Sequence, residues 1–356
     1  MTLGTFFDIR SNSLNSLRLI LATVVIVSHS WPIGGFDGEP HLGTMNYGEI
    51  AVAGFFAVSG YLITGSRMNN NFVQFTRARF LRIFPAYWVC LLLTAFLAAP
   101  IAASTRGGWT TQEAIEYIYN NASLVIRQWT IGGTLDGAPR SDSWNGPVWT
   151  LMYEFACYIF IGILLSIPML RNKWAILAVF ALSTATCTGI RVFGLHDSGI
   201  SAKIQNASQF LTYFLAGAVI YAFRHSLSSS KTTILTALAV AIGGIASNLG
   251  DIVAPIGIAY CCIWISARFP RMIVERIGNG SIDVSYGMYI YGWVVGQLAI
   301  LVGVERYGIT VLIIATVLAT VPFAIASWFA IEKPALRLKR THRPVAAKAH
   351  RNTEIQ

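Results

Sequence analysis

The chain has 356 residues, of which 54% are hydrophobic and only 12% charged, and it carries a formal net charge of +10. Apolar runs recur from end to end and no polar stretch is long enough for a second globular domain. The composition therefore excludes an ordinary water-soluble enzyme and predicts an all-α, polytopic membrane protein.

A bilayer core requires about 20 mostly apolar residues per helix. Ten such runs are predicted, at 14–33, 48–66, 83–103, 147–168, 174–194, 207–223, 232–248, 251–267, 283–302 and 308–331. Residues 1–335 are read as one transmembrane domain and 336–356 as a basic cytoplasmic tail. The first run is expected to be a retained helix rather than a cleaved signal. Asp8 and Arg10 precede it, Arg18 lies within it, and no small-x-small cleavage site follows.

Lys and Arg are held on the cytoplasmic side during insertion. With both termini in the cytoplasm, only Arg106, Arg127, Arg140, Arg191, Lys203 and Arg306 of the 26 basic residues fall in outer segments. The same segments collect acidic residues, among them Asp37, Glu39, Asp142 and Asp251. Topology and anionic lipid account for the positive charge, so it gives no argument for a nucleic-acid partner.

Along the first run, Arg18 and His29 are eleven residues apart. At about 1.5 Å and about 100° per residue, the two lie roughly 16 Å apart along the axis and project from one face. Arg18 is expected at the cytoplasmic mouth and His29 toward the outer leaflet. Taken alone, the pair reads equally as a snorkelling arginine and a helix-end histidine.

The second run, ending "GFFAVSGYLITGSR", leads into "FTRARFLRIFPAYW" on the same side, so that Arg67, Arg77, Arg79 and Arg82 gather near the start of the third. Such a cluster is ordinary in a positive-inside loop. It also suits the phosphates of a coenzyme, because arginine presents a planar fork of donors.

The longest outer loop, 104–146, holds Trp109, Tyr117, Tyr119, Trp129 and Trp144. These aromatics suit stacking on sugar rings, or, the reading preferred for most of them, an interfacial belt beside an amphipathic segment at 110–129. After it, "WNGPVWTLMYEF" places Glu154 about two turns into a helix descending from the outer surface, at a depth near that of His29. An intramembrane acid is a functional candidate, or a structural partner for a buried base. Asp283 is expected to cap the ninth helix. Cys90, Cys157, Cys187, Cys261 and Cys262 lie inside apolar runs without metal-ligand spacing and read as small core residues.

Taken together, Arg18-x10-His29, "FFAVSGYLIT", "RARFLRIFPAYW", "GPVWTLMYEF", "SYGMYIYGW" and the closing "EKP" resemble, in order and over nearly the whole chain, the acyltransferase family 3 membrane proteins. The resemblance implies about ten helices, an acyl-CoA donor taken from the cytoplasm (acetyl-CoA by default), and O-acylation of a cell-surface or lipid-linked glycan such as exopolysaccharide or O-antigen. It implies a bacterial inner membrane and makes Arg18 and His29 the essential first-helix pair, with Arg77 and Arg79 in the donor-binding motif.

There are departures. Family members often have a histidine before the tryptophan of "SYGMYIYGW"; here Gly292 stands in that place, leaving Tyr286, Tyr289 and Tyr291 to line a cavity. Some relatives append a soluble esterase-like domain. This chain is expected to complete the transfer without one, alone or with a partner.

Combining both lines, His29 is read as general base, Glu154 as the carboxylate that orients it or the acceptor, and Ser59, near the Gly60 backbone, as an oxyanion donor. Arg18, Arg77, Arg79 and Arg82 are read as binding the coenzyme phosphates. Direct transfer and an acyl-histidine route both remain open. No metal is expected, and the oligomeric state is not legible. The alternative function is a transporter or flippase of an envelope glycan precursor, although no inverted repeat stands out.

Overall fold

The computed structural model describes residues 1–7, 12–194, 199–247, 249–268 and 282–339. Asp8, Arg10, Asp197, Arg271, Arg276 and the part of the basic tail beyond 339 lie outside the described residues. After a helical turn at Leu3–Phe6, the longer helices among the described residues are α1 (Leu14–Gly34), α2 (Tyr47–Met68), α3 (Phe72–Leu93), α4 (Thr111–Asn121), α5 (Thr150–Leu164), α6 (Lys173–Val192), α7 (Gly199–Phe223), α8 (Lys231–Ala246), α9 (Ala254–Arg268), α10 (Ser285–Leu301) and α11 (Ile309–Ser327). A two-stranded hairpin pairs His41 with Asn46 and Leu42 with Met45 between α1 and α2.

Each of the ten apolar runs coincides with a helix. Among the described residues, six helical stretches are long and apolar enough to cross a membrane: Leu14–Gly34, Tyr47–Met68, Phe72–Arg106, Pro147–Leu164, Lys173–Val192 and Ile309–Arg337. The third includes α3, a π-helical turn at Thr94–Ala98 and a continuation to Arg106. It starts eleven residues before the apolar run expected from 83, because hydropathy detects lipid depth while the polar first turns are helical for another reason. Asn71 caps them, its side chain accepting from the Gln74 amide at 2.9 Å. Asn46 and Glu49 likewise form a reciprocal capping box at the start of α2.

Helices in lipid associate through close packing rather than hydrophobic expulsion, and small residues permit it. A Cβ on Gly60 of α2 would fall 1.8 Å from the Phe214 carbonyl oxygen of α7, and one on Gly217 of α7 would fall 1.9 Å from that of Ala57. These two positions let α2 and α7 touch backbone to backbone. Around that pair the other helices pack so that α1 lies against α2, α9, α10 and α11. All five cysteines are free and buried.

The outer loop departs from the interfacial belt preferred on sequence. Trp144 and Tyr117 are buried in the core. Trp144 Nε1 donates to Thr134 Oγ1 at 2.8 Å, and Trp109 Nε1 donates to the Ala95 carbonyl at 2.9 Å. Tyr87 and Trp88 of α3 donate to the Asn121 and Ala122 carbonyls and tie down the end of α4. Buried indole and phenol groups need polar partners, and the loop carbonyls supply them. Among the five aromatics, only Tyr119 and Trp129 are exposed.

Candidate active site

α1 carries His29 into a cavity of about 810 Å³. The lining includes Glu39, Glu49, Trp129, Arg140, Asp142, Trp149, Gln209 and Tyr213. The His29 ring packs edge to face on Trp293, with centroids 5.1 Å apart. No hydrogen bond to it is found among the described residues, so its nitrogens are available to whatever enters the cavity. Trp293 is itself fixed by its indole N–H donating to the Ser143 carbonyl at 3.1 Å. The preceding side chain, Ser28, donates to Glu39 at 2.5 Å.

At the other end of α1, Arg18 is committed to an acid. Its Nη1 lies 3.2 Å from Asp283 Oδ2, and the same oxygen takes Arg82 Nη2 at 2.6 Å. Arg82 Nη1 reaches Glu332 at 3.2 Å. Glu332 is presented by a π-helical turn, Trp328–Glu332, at the end of α11 and accepts a second bond from Ser327 at 3.0 Å. Asp283 was expected to cap α10, but Val284 holds the N-cap position without a side-chain bond; Asp283, one residue earlier, accepts from the Ser285 amide and hydroxyl and holds both arginines. Two arginines are thus balanced by two carboxylates, as buried charges require.

The remaining arginines divide by helical face. Arg79 and Arg82 are three residues apart and share a face, whereas Arg77 is rotated about 200° from Arg79 and is exposed. Arg79 lies over the Tyr158 ring, 5.9 Å from its centroid, and its Nε has no hydrogen-bond partner among the described residues. Arg67 is buried at the foot of α2, where it donates to the Gly162 and Asn70 carbonyls and to Ser166. That is the work of a structural clamp between α2 and α5.

Ser59 and Glu154 meet. Ser59 Oγ donates to Glu154 Oε1 at 3.0 Å, and the Tyr158 hydroxyl donates to the same oxygen. Ser59 therefore spends its proton on Glu154, which is not the arrangement of a free oxyanion donor. Glu154 also lines a small cleft of about 30 Å³ together with Arg18, Phe55, Ser285, Tyr286 and Tyr289. It accordingly faces Arg18, and among the described residues no contact joins it to His29.

The small cleft at Arg18 and the cavity at His29 share Val52, Thr150 and Tyr289 as walls. Across this boundary the Thr150 and Tyr289 hydroxyls are 2.5 Å apart, and both reach the Pro147 carbonyl at 3.0 Å. Tyr286 and Tyr289, three residues apart on α10, face the cleft as expected. Tyr291 does not, since it packs toward Phe323 of α11. Gly292 also has a physical reason: a Cβ there would lie 2.6 Å from Ile26 Cγ1 of α1, so the contact between α1 and α10 fills the space a larger side chain would need.

Glu39, Thr150 and Glu332 were not singled out as site residues from the sequence. Tyr289 was read only as lining a cavity, and its place at the boundary between the two spaces was not foreseen, although Tyr286, Tyr289 and Trp293 recur at helical spacing on one face of α10. Nothing local marks Glu39, which lies in a loop and reaches the site only through the fold.

Comparison with known proteins agrees with this architecture. The acyltransferase domain family matches residues 11–331. An O-acetyl transferase of Shigella phage Sf6 is 30% identical over 308 residues, 82% of this chain and 86% of the relative. Nodulation protein 10 of Rhizobium leguminosarum bv. viciae is 26% identical over 356 residues, 92% of this chain and 94% of the relative. Acyltransferase MdmB of Streptomyces mycarofaciens is 26% identical over 183 residues, about half of each chain. No solved structure matches. The chain belongs to acyltransferase family 3 and is an acyltransferase.

Proposed function

We propose that the protein is an inner-membrane O-acetyltransferase that takes an acetyl group from cytoplasmic acetyl-CoA and places it on a hydroxyl of an extracytoplasmic or lipid-linked glycan. The observation that carries this reading is the single line formed by Arg18, the inner cleft, the Thr150–Tyr289 boundary and His29. It puts a cationic end and a free imidazole on one helix with two adjoining spaces between them. Ten spans with both termini in the cytoplasm fit the distribution of basic residues.

In this scheme the donor's phosphates lie at the inner mouth. Arg79, which has an unpartnered Nε, meets them, and exposed Arg77 assists. Arg18 and Arg82, already paired with Asp283 and Glu332, shape that mouth more than they neutralise it. The acyl-bearing arm runs through the cleft past Glu154, whose carboxylate accepts from the arm's amides. A cleft of about 30 Å³ holds little more than a water, so the arm enters only when Tyr289 and Thr150 part.

At the boundary, the acceptor hydroxyl gives its proton to His29 as its oxygen attacks the thioester carbonyl carbon. The C–S bond then breaks, and the departing thiolate takes the proton from the imidazolium. A thioester is already activated, so this sequence calls for no metal. The hydroxyls of Tyr289 and Thr150 stand on the boundary itself and, released from the Pro147 carbonyl as it opens, take over the oxyanion role read for Ser59 on sequence.

The test uses membrane vesicles with the donor face accessible, given acetyl-labelled acetyl-CoA and an envelope glycan fraction, with label scored as alkali-labile ester. Wild type transfers label, and His29→Ala, folded and inserted, loses at least about a hundredfold. Equal transfer by the two would remove His29 from the chemistry. Transport of an unmodified glycan precursor by wild type, with no ester formed, would favour the flippase.

A further inference from the structure

The outer cavity has a charge character that narrows the acceptor, and this deepening rests on the acetyl-transfer reading. Its titratable lining consists of His29, Glu39, Glu49, Arg140, Asp142, Tyr213 and Tyr289. Arg140 does not stand free, since its Nε is 3.2 Å from Asp142 Oδ1 and both side chains are half exposed. Glu39 and Glu49 remain. Among the described residues their close side-chain partners are neutral: Ser28 donates to Glu39, and the Asn46 amide donates to Glu49. Asp251 lies behind them and interacts electrostatically with Glu49. Gln209, another lining residue, donates to Asp251 at 2.7 Å, while Arg191 stands 3.8 Å away on the far oxygen.

No unpaired cation among the described lining residues offsets these carboxylates. The rest of the wall is apolar or neutral, with Trp129 and Trp149 supplying ring faces and Asn206 and Gln209 supplying amides. Carboxylates that accept from hydroxyls, amides that donate and accept, and indole faces that stack are the groups that hold an uncharged sugar. A uronate or phosphate in the same space would lie against two like charges, within the shielded volume where the field is least screened.

We infer that the sugar acetylated at His29 carries no carboxylate or phosphate where it enters the cavity, and that Glu39 and Glu49 enforce this by accepting its hydroxyls and repelling anions. Glu39 sets the specificity most directly, because Ser28 ties it to the residue beside His29. A lipid-linked acceptor then keeps its pyrophosphate outside the cavity and offers only a neutral segment.

The experiment compares kcat/KM for matched oligosaccharide pairs of the same linkage, one bearing a neutral hexose and the other its uronate. Wild type and the Glu39→Gln, Glu49→Gln double variant are compared in vesicles with acetyl-CoA. Glutamine keeps an acceptor for Ser28 and for the Asn46 amide, so folding is retained. Wild type prefers the neutral member about tenfold or more, the scale of one like charge a few ångströms away, and in the double variant the preference falls below about threefold. Equal rates on both members by wild type overturn the inference and leave acetyl transfer standing. A preference that the double variant does not change overturns the role of the carboxylates. Hydrolysis of acetyl-CoA with transfer to no oligosaccharide of either kind removes the glycan reading and this inference with it.

Discussion

Arg82 and Asp283, 201 positions apart in sequence, meet at 2.6 Å at the Arg18 end of α1. The same guanidinium reaches Glu332, and the same carboxylate reaches Arg18, so four residues from α1, α3, the start of α10 and the end of α11 share one charge-balanced knot. Removing one member of a buried ion pair leaves the other charged and unsolvated. Arg82→Ala strands Glu332 and leaves Asp283 with Arg18 alone, and is expected to cost about 3–5 kcal/mol, whereas Glu332→Gln, which removes a charge but keeps an acceptor, costs less. Thermal unfolding in detergent, followed by loss of the monodisperse peak, measures both. An Arg82→Ala variant that unfolds with wild type would show that the knot is not structural.

The neighbouring arginines are expected to behave differently from Arg82 and from each other. Arg79 lies inside, above Tyr158, with Nε unpaired, and Arg77 points outward. Arg79→Ala should raise the apparent KM for acetyl-CoA about tenfold or more with a smaller change in kcat, as loss of a charge-assisted phosphate contact does. Arg77→Ala should shift it less than about threefold. Steady-state kinetics over a range of donor concentrations decide this, and equal effects of the two substitutions would contradict the division by face.

Helix positions were legible because apolar length is written in composition, and each of the ten runs lies on a helix. The start of α3 was not, since its first turns depend on the Asn71 cap and arginines rather than on hydropathy. Arg18, His29 and Glu154 were legible as charges too costly to bury without reason. Their partners were not. Equal depth suggested that Glu154 faces His29, but depth does not fix azimuth, and α5 turns Glu154 toward Ser59 and the Arg18 cleft. Trp144 and Tyr117 likewise looked interfacial by type and loop position, yet the loop folds back so that both are covered. Pairings of this kind depend on contacts between segments far apart in sequence, which local pattern does not encode.

Gly292 provides a test of how closely α1 and α10 are fitted. The space beside its Cα is taken by Ile26, whose Cγ1 is 2.6 Å from where a Cβ would sit, and His29 lies one turn further along α1. Gly292→Ala is expected to destabilise the fold by about 1–3 kcal/mol through overpacking, and to lower transfer by shifting the helix that carries His29. The double variant Gly292→Ala, Ile26→Ala should recover much of the loss, because it removes the atoms that clash. A melt and a transfer assay on the two single variants and the double variant form a cycle in which additive effects would deny the contact.

Tyr289 lines both the cleft at Arg18 and the cavity at His29, and its hydroxyl is bound to Thr150 and to the Pro147 carbonyl. In Tyr289→Phe, Thr150 keeps its own bond to Pro147 at 3.0 Å, so no buried hydroxyl is stranded and the cost in stability is about 1 kcal/mol. The boundary, however, loses one of the two hydroxyls that close it and one of the two placed to meet an oxyanion. Two effects follow with opposite signs. Transfer to glycan should fall about tenfold to a hundredfold, as an oxyanion donor is lost. Hydrolysis of acetyl-CoA without acceptor should rise relative to transfer, because water from the outer cavity reaches the thioester more easily. Thiol release and ester formation, measured on the same vesicles, separate the two. A fall in both at a constant ratio would assign Tyr289 to catalysis alone, and no change in either would place the boundary elsewhere.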